Sequence, residues 1–436
     1  MTQRLHPLTP VLRGWKVFVG IAVVASTQLN QEIGNHWLWV AVLGSVPIGA
    51  AYGFVSWRYT TFGIEGGDLR VDTGVLFRRS RRVRLDRLQA VDVVRPLVGR
   101  ALGLAELRLE VAGGSSAEAP LAYLSEDAAL RLRAELLARA AGLHEETPEA
   151  PEHVVHVVPF GRLVVGELLR GQIWVGVVLL VLGVGALALT GTPGALFALL
   201  PGLVGFAGVP VRRVVNDFDF TLATSPDGLR LRHGLLETRA QTVPPGRVQA
   251  LRVVEPWLWR RAGWARIEVT VAGYVGERSE SQSVSVLMPV LPVADVGPLL
   301  GLVLPGVSVT AVPLEGVPRS ARWLDPIGSR FLAAGADERV FVSRRGRFRR
   351  ETDVVPHERT QSLRLAQGWL QRRLGLATVH IDTTPGPVHV VAAHRAALQA
   401  RAIVESEVVL ARSARAGDRT ELWMQDAPPL VPKSGE

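Results

Sequence analysis

The chain has 436 residues, no cysteine, a net charge of +9 and only 20% charged residues, with a mean hydropathy of +0.22. Without cysteine there can be no disulfide, thiolate metal site or thiol nucleophile. A soluble chain carries about a quarter charged residues, so membrane segments are the first expectation; the charge is nearly all arginine, Lys16 and Lys433 being the only lysines, which suits anionic partners or a cytoplasmic membrane flank.

In chain order, residues 1–14 form a juxtamembrane segment and 15–57 a first transmembrane hairpin. Its second arm, Trp37 to Trp57, is free of charge and bounded by tryptophans, which favour the headgroup zone. The first arm, Val17 to Gln31, follows Arg4, Arg13 and Lys16 and resembles a signal-peptide core, but no small-x-small cleavage site follows, so an uncleaved helix is expected. A module over 58–142 comes next, then a linker and juxtamembrane segment over 143–172. Residues 173–211 read as a second hairpin: Ile173 to Thr190 is uncharged, Gly191-Thr192-Pro193-Gly194 is a turn, and Ala195 to Val211 returns. Each arm is near the lower limit of about 17 residues for a spanning helix, and a buried soluble hairpin is the alternative. A second module over 212–304, a linker over 305–321, a third module over 322–412 and a C-terminal tail over 413–436, rich in proline from Asp426, complete the chain. Both hairpin turns lack Lys and Arg while Arg58, Arg162, Arg170, Arg212 and Arg213 flank the apolar arms. The modules and both termini are therefore expected in the cytoplasm, in a multi-pass protein of the cell membrane.

The modules repeat without gaps from Gly74, Gly234 and Gly346. Nine positions on stand Val83, Val243 and Val355; at thirteen Arg87, Arg247 and Arg359; at fifteen Gln89, Gln249 and Gln361. Arg100, Arg260 and Arg372 follow at twenty-six, and Gly103, Gly263 and Gly375 at twenty-nine. Beyond the last glycine, apolar and polar residues alternate, as at Leu107-Arg108-Leu109-Glu110, which marks a half-buried strand. Phe62 to Val71 and Phe218 to Leu231 read as hairpins turning at Gly66-Gly67 and Asp227-Gly228. A helix over Asp127 to Ala141, with its stripe of Leu130, Leu132, Leu136 and Leu137, closes the first copy.

The run Arg87-Leu88-Gln89 through Arg100-Ala101-Leu102-Gly103-Leu104-Ala105, and the stronger Glu358-Arg359-Thr360-Gln361 through Leu370-Gln371-Arg372-Arg373-Leu374-Gly375-Leu376-Ala377, resemble the bacterial pleckstrin-homology domain of the second type. The order of His6-Pro7, hairpin and module, then repetition, resembles the YdbT-like membrane proteins. That resemblance implies a seven-stranded, orthogonally packed sandwich closed by a helix, and carries no catalytic residues across. The expected fold class is thus α+β with membrane helices: two transmembrane helical hairpins plus three such modules.

No catalytic, cofactor or metal site is expected. His153 and His156, and His389 and His394, lack a third ligand at useful spacing, and no phosphate-cradling glycine loop or dinucleotide fingerprint is present. The recurrent Arg and Gln positions either contact a ligand or complete backbone hydrogen bonds within the module. Candidate lipid or partner contacts are Arg78, Arg79, Arg81 and Arg82 in the first copy. They are joined by Trp257, Trp259, Arg260 and Arg261 in the second, and Trp369, Arg372 and Arg373 in the third. Tryptophan beside arginine suits headgroup depth or a protein contact; equally, the tryptophans can fold back to plug the module. The reading is a non-catalytic, membrane-anchored adaptor or scaffold of the bacterial cell envelope. Its modules bind proteins, one another or anionic lipid, and not nucleic acid, since few aromatics interleave the arginines. The alternative is a membrane enzyme acting on lipid or cell-wall precursors.

Overall fold

The computed structural model describes residues 2–4, 55, 58–65, 68–73, 79–84, 88–111, 121–140, 152–190, 208–225, 228–243, 246–272 and 286–417. The chain divides into two units: 1–149 with Glu237–Ala240, and 150–236 with 241–436.

In the first unit a short strand, Thr2–Arg4, pairs with β1 (Thr61–Glu65), which continues into β2 (Asp68–Thr73) and β3 (Arg79–Arg84), all antiparallel. A second sheet holds β4 (Leu88–Pro96), β5 (Leu104–Val111) and β6 (Leu121–Ser125). Between β4 and β5 sits a one-turn helix, α1 (Leu97–Ala101), and α2 (Glu126–Ala140) closes the module. The segment Glu237–Ala240 lies antiparallel on the outer edge of β4, with Glu237 opposite Pro96 and Ala240 opposite Val93.

The second unit repeats this plan twice. Its first copy has β7 (His153–Val157), β8 (Thr221–Ser225), β9 (Gly228–His233) and β10 (Glu237–Val243), of which Gln241–Val243 falls in this unit. The second sheet follows as β11 (Val248–Pro256), β12 (Trp264–Val271) and β13 (Val286–Pro292). A one-turn helix α6 (Trp257–Ala262) joins β11 to β12, and α7 (Val293–Val303) closes the copy. Between β7 and β8 the chain leaves the sheet to form α3 (Phe160–Leu168), α4 (Gln172–Thr190) and α5 (208–216). The excursion closes where the Val158 N–H donates to the Phe220 carbonyl at 2.9 Å.

The last copy opens with the two-residue strand Glu315–Gly316 on β14 (Ala333–Ala336), then β15 (Val340–Arg345) and β16 (Arg349–Pro356). It continues with β17 (Ser362–Ala366), the one-turn helix α8 (Trp369–Arg373), β18 (Leu376–Asp382), β19 (Val390–Ala396) and α9 (Ala397–Gly417). Four strands in one sheet, three in the other and a closing helix therefore recur three times.

The repeated residues fall at matching points. Gly103, Gly263 and Gly375 follow the three one-turn helices with φ of 66°, 68° and 66°, a left-handed conformation that closes a helix and favours glycine. Val83 and Val355 lie in strands, and between Pro356 and Gln361 the chain makes only a single 3₁₀ turn, His357–Arg359.

One expectation is corrected. Among the described residues the structure does not show two transmembrane helical hairpins. Among the described residues no single helix is long and apolar enough to cross a membrane, and only the bent pair Phe160–Leu168 with Ile173–Leu189, angled at 52°, passes by length and composition. Gly171, at φ 81°, lies at that break, so the apolar run that reads as one arm is the second half of a kinked element. The first hairpin, apart from Val55, and the return arm over 195–207 lie outside the described residues.

Candidate functional site

Pro256 ends β11 and caps α6, which turns the Trp-Leu-Trp-Arg-Arg sequence back beside α3. A six-residue turn cannot present both tryptophans outward. Trp259 is fully buried, its indole N–H donating to the Gly166 carbonyl at 2.8 Å and its ring edge-on to Trp264 at 6.5 Å. Gly166 is small for this reason: a Cβ there would meet Trp259 at 3.2 Å and Val290 at 3.0 Å. Trp259 therefore belongs to the core and is not a surface contact. Trp257 remains 47% exposed, with the Arg261 guanidinium 4.6 Å from its ring centre.

Trp257 borders a groove of about 390 Å³ whose walls include Arg170, Arg213, Arg266, Phe348 and Arg349. Glu268, which lines it, lies 3.4 Å from Arg266 and 3.7 Å from Arg349, and the buried Glu167 lies 3.0 Å from Arg170 and 3.7 Å from Arg213. The groove opens beside Gly171, the residue before α4. Along α4, Trp174, Val178, Val181, Leu182 and Leu189 are exposed, an apolar surface with no protein cover among the described residues.

Other candidate residues are dispersed. Trp369 is 74% exposed on α8, with Arg372 and Arg373 exposed after it. Arg79, Arg81 and Arg82 lie on β3, while Arg78 is outside the described residues. Arg260 donates to the Arg347 carbonyl at 2.7 Å. Of the recurrent glutamines, Gln249 is buried and donates to the Arg247 carbonyl at 3.4 Å, whereas Gln361 is exposed. Among the described residues no group of three His, Asp or Glu side chains is placed to hold a metal ion.

Sequence reading missed a buried charge cluster where β11 meets β16. Arg252 donates to Asp353 at 2.6 Å and to the carbonyls of Pro387 and His389 at 2.9 and 3.3 Å. Arg345 reaches Asp353 at 3.2 Å and Glu351 at 2.8 Å. Burial works against the Arg252 charge, but the bond to Asp353 and the charges of Asp353, Glu351 and Glu268 together outweigh it, and its pKa is raised. Burial also pushes the Asp353 carboxyl above its ordinary value, against the pull of Arg252. The two shifts argue opposite ways about the pair; its geometry, with Asp353 held by two arginines, fits the charged form.

Two sheets and a closing helix, repeated three times with a one-turn helix between the first two strands of the second sheet, define a sandwich of the pleckstrin-homology class. A family model described as bacterial PH domain matches residues 17–140, 171–307 and 286–415, and the chain belongs to that family. The chain is also similar to the UPF0699 transmembrane protein YdbT of Bacillus subtilis (strain 168), at 23% identity over 338 residues. The match covers 66% of this chain and 66% of that protein, a little under two thirds of the relative's length.

Proposed function

We propose that the protein is a membrane-associated, non-catalytic adaptor whose PH modules hold anionic lipid and protein partners at the cell envelope. The observation that carries the reading is the basic, tryptophan-edged groove at the foot of the exposed apolar helix α4. Apolar surface of that kind is matched by acyl chains. A groove at its polar end meets headgroup phosphate, where each nearby arginine contributes about 1 kcal/mol. The relative's name, a transmembrane protein, supports the same placement. Arg162, Arg170, Arg212 and Arg213 around the apolar stretch favour the cytoplasmic side for the modules and for both termini. In the last copy the excursion after the first strand is short, with Trp323 80% and Ile327 58% exposed beside Arg322, a composition suited to the same interface.

The test is binding of the full chain, in neutral detergent, to micelles doped with phosphatidylglycerol or with phosphatidylcholine. Preference for the anionic lipid is expected, falling with salt and weakened by Arg213→Ala and Trp257→Ser. Equal binding of both lipids by the wild-type chain would refute the lipid arm of the reading.

A further inference from the structure

The outer edge of the second sheet is filled in two copies and, among the described residues, open in the third. On β11 lies β16, with Pro256 opposite Arg349, Val254 opposite Glu351 and Arg252 opposite Asp353. On β4 lies Glu237–Ala240, with Pro96 opposite Glu237. Pro96 and Pro256 are equivalent in the repeat, and so are Glu237 and Arg349, so both edges receive the same strand in the same register. The residues that clamp it are also equivalent. Arg100 donates to Thr238 Oγ1 at 3.2 Å, and Arg260 to the Arg347 carbonyl at 2.7 Å. Arg108 faces Glu237 at 3.6 Å; at the matching point Glu268 faces Arg349 at 3.7 Å, with the signs exchanged. A pair that keeps its place while reversing its charges is how a family of similar edges distinguishes partners.

The third edge is β17. It retains Leu363, Arg364 and Leu365 where β11 has Leu251, Arg252 and Val253, but Leu365 is 44% exposed, and Arg364, also exposed, turns to Asp382 of β18 at 2.6 and 2.9 Å. In the sheet order β17 is terminal, with β18 on its other side. Arg372, equivalent to the clamping Arg100 and Arg260, is exposed and its side chain makes no ion pair or hydrogen bond among the described residues. A strand that merely ended the sheet would have no use for the exposed Leu365 and Trp369 beside it.

We infer that β17 with α8 is a docking edge for a β-strand of a partner protein that carries carboxylates, which meet the exposed Arg372 and Arg373 of α8. The inference rests on the adaptor reading and names the kind of partner. Chemistry disfavours a second copy of this chain. The repeat-equivalent strand of the first module runs Arg78-Arg79-Ser80-Arg81-Arg82-Val83-Arg84, with no carboxylate. That strand would bring Arg79, Arg81 and Arg82 to an edge that already carries Arg372 and Arg373, and like charges across a strand pair weaken it. The two incoming segments that do fit carry Glu237, or Glu351 and Asp353. Main-chain pairing supplies affinity in this mode and alternate side chains the specificity.

The experiment uses the full chain in detergent and three synthetic hairpins: residues 337–358, the same peptide with R349E and R350E, and the arginine-rich 66–85. Hydrogen exchange reads protection at 362–366, and fluorescence anisotropy reads affinity. The acidic hairpin is expected to bind best and to slow exchange at 362–366. Arg372→Ala should weaken it about tenfold, the scale of a lost charge-assisted hydrogen bond, and Leu365→Pro should abolish it without moving the thermal midpoint. Absence of protection by either 337–358 peptide, or indifference to both substitutions, overturns the docking edge. Tightest binding of 66–85, or protection that grows with chain concentration alone, assigns the edge to a second copy and overturns the acidic partner. Lipid preference of the groove is read separately, so failure here leaves the membrane reading standing.

Discussion

The two tryptophans of α6 are separated by one residue and differ completely in role. Trp259 is sealed between Gly166, Val290 and Trp264, with its indole N–H satisfied; Trp257 covers the groove rim. Trp259→Ser should therefore destabilise the second unit by about 3–5 kcal/mol, the usual cost of emptying a buried aromatic site, while Trp257→Ser should stay within about 1 kcal/mol; urea unfolding distinguishes them. His357 offers a second test. It is fully buried, with Nδ1 2.9 Å from Glu407 Oε1 and Nε2 3.0 Å from the Asp337 carbonyl. Both ring nitrogens face acceptors, so the imidazolium fits the site better than either neutral tautomer. Burial opposes that charge, yet Glu407 and Asp337 outweigh it, and the His357 pKa is raised. Because the folded value lies above the unfolded one, the stabilisation is complete below about pH 6.5 and is lost as pH rises through the folded pKa. Stability of the wild-type chain should fall across that window more than that of His357→Gln; equal slopes would show that the histidine is neutral in the fold.

At the scale of elements, sequence carried the repeat, its hairpins, the closing helices and the three glycines, because each rests on a local signal: period-two alternation, Gly-containing turns, or a positive φ. Pairing between copies was not legible. Nothing within β11 says that its outer edge meets β16 about a hundred residues on, although Arg252 in an otherwise apolar strand is the one available hint. The burial of Trp259 was likewise hidden, since its cover, Gly166, comes from the excursion between β7 and β8. The hairpin at 173–211 was over-read for a related reason: apolarity and length are local, whereas the break at Gly171 is a matter of backbone angle. The β11–β16 cluster gives a measurable consequence. Asp353→Ala would leave Arg252 buried with its principal counter-charge gone, which should cost about 3–5 kcal/mol. Replacing Arg252 and Asp353 together by Met and Leu should recover most of that loss. A double variant no better than Asp353→Ala would mean that strand geometry, and not the orphaned charge, sets the cost.

At the scale of the molecule, the last two copies are not independent. Val340, Val342 and Val354 of the third belong to the same buried cluster as Leu251, Val253, Ile267 and Leu291 of the second. Ala250 of the second in turn packs in the cluster built on Phe341, Val379 and Ile381. Each of the two clusters is incomplete without residues from the neighbouring copy, as expected where repeated units cannot bury their surfaces alone. The edges differ accordingly: β11 is buried from Val248 to Val254, while β17 is mostly exposed and holds Arg364 paired to Asp382 at 2.6 Å. That bond holds the Asp382 carboxyl below its ordinary value, and a charged pair on an open strand discourages indiscriminate pairing. A chain ending at Leu314 would lose this protection, because removal of β16 bares the apolar edge of β11 and strips three valines from the core beneath it. In the same detergent it should associate into larger species by light scattering, while the full chain keeps its mass over a tenfold range of concentration. A truncated chain that remained as monodisperse as the full one would show that the second copy closes its own edge, and that the shared core is packing without consequence for assembly.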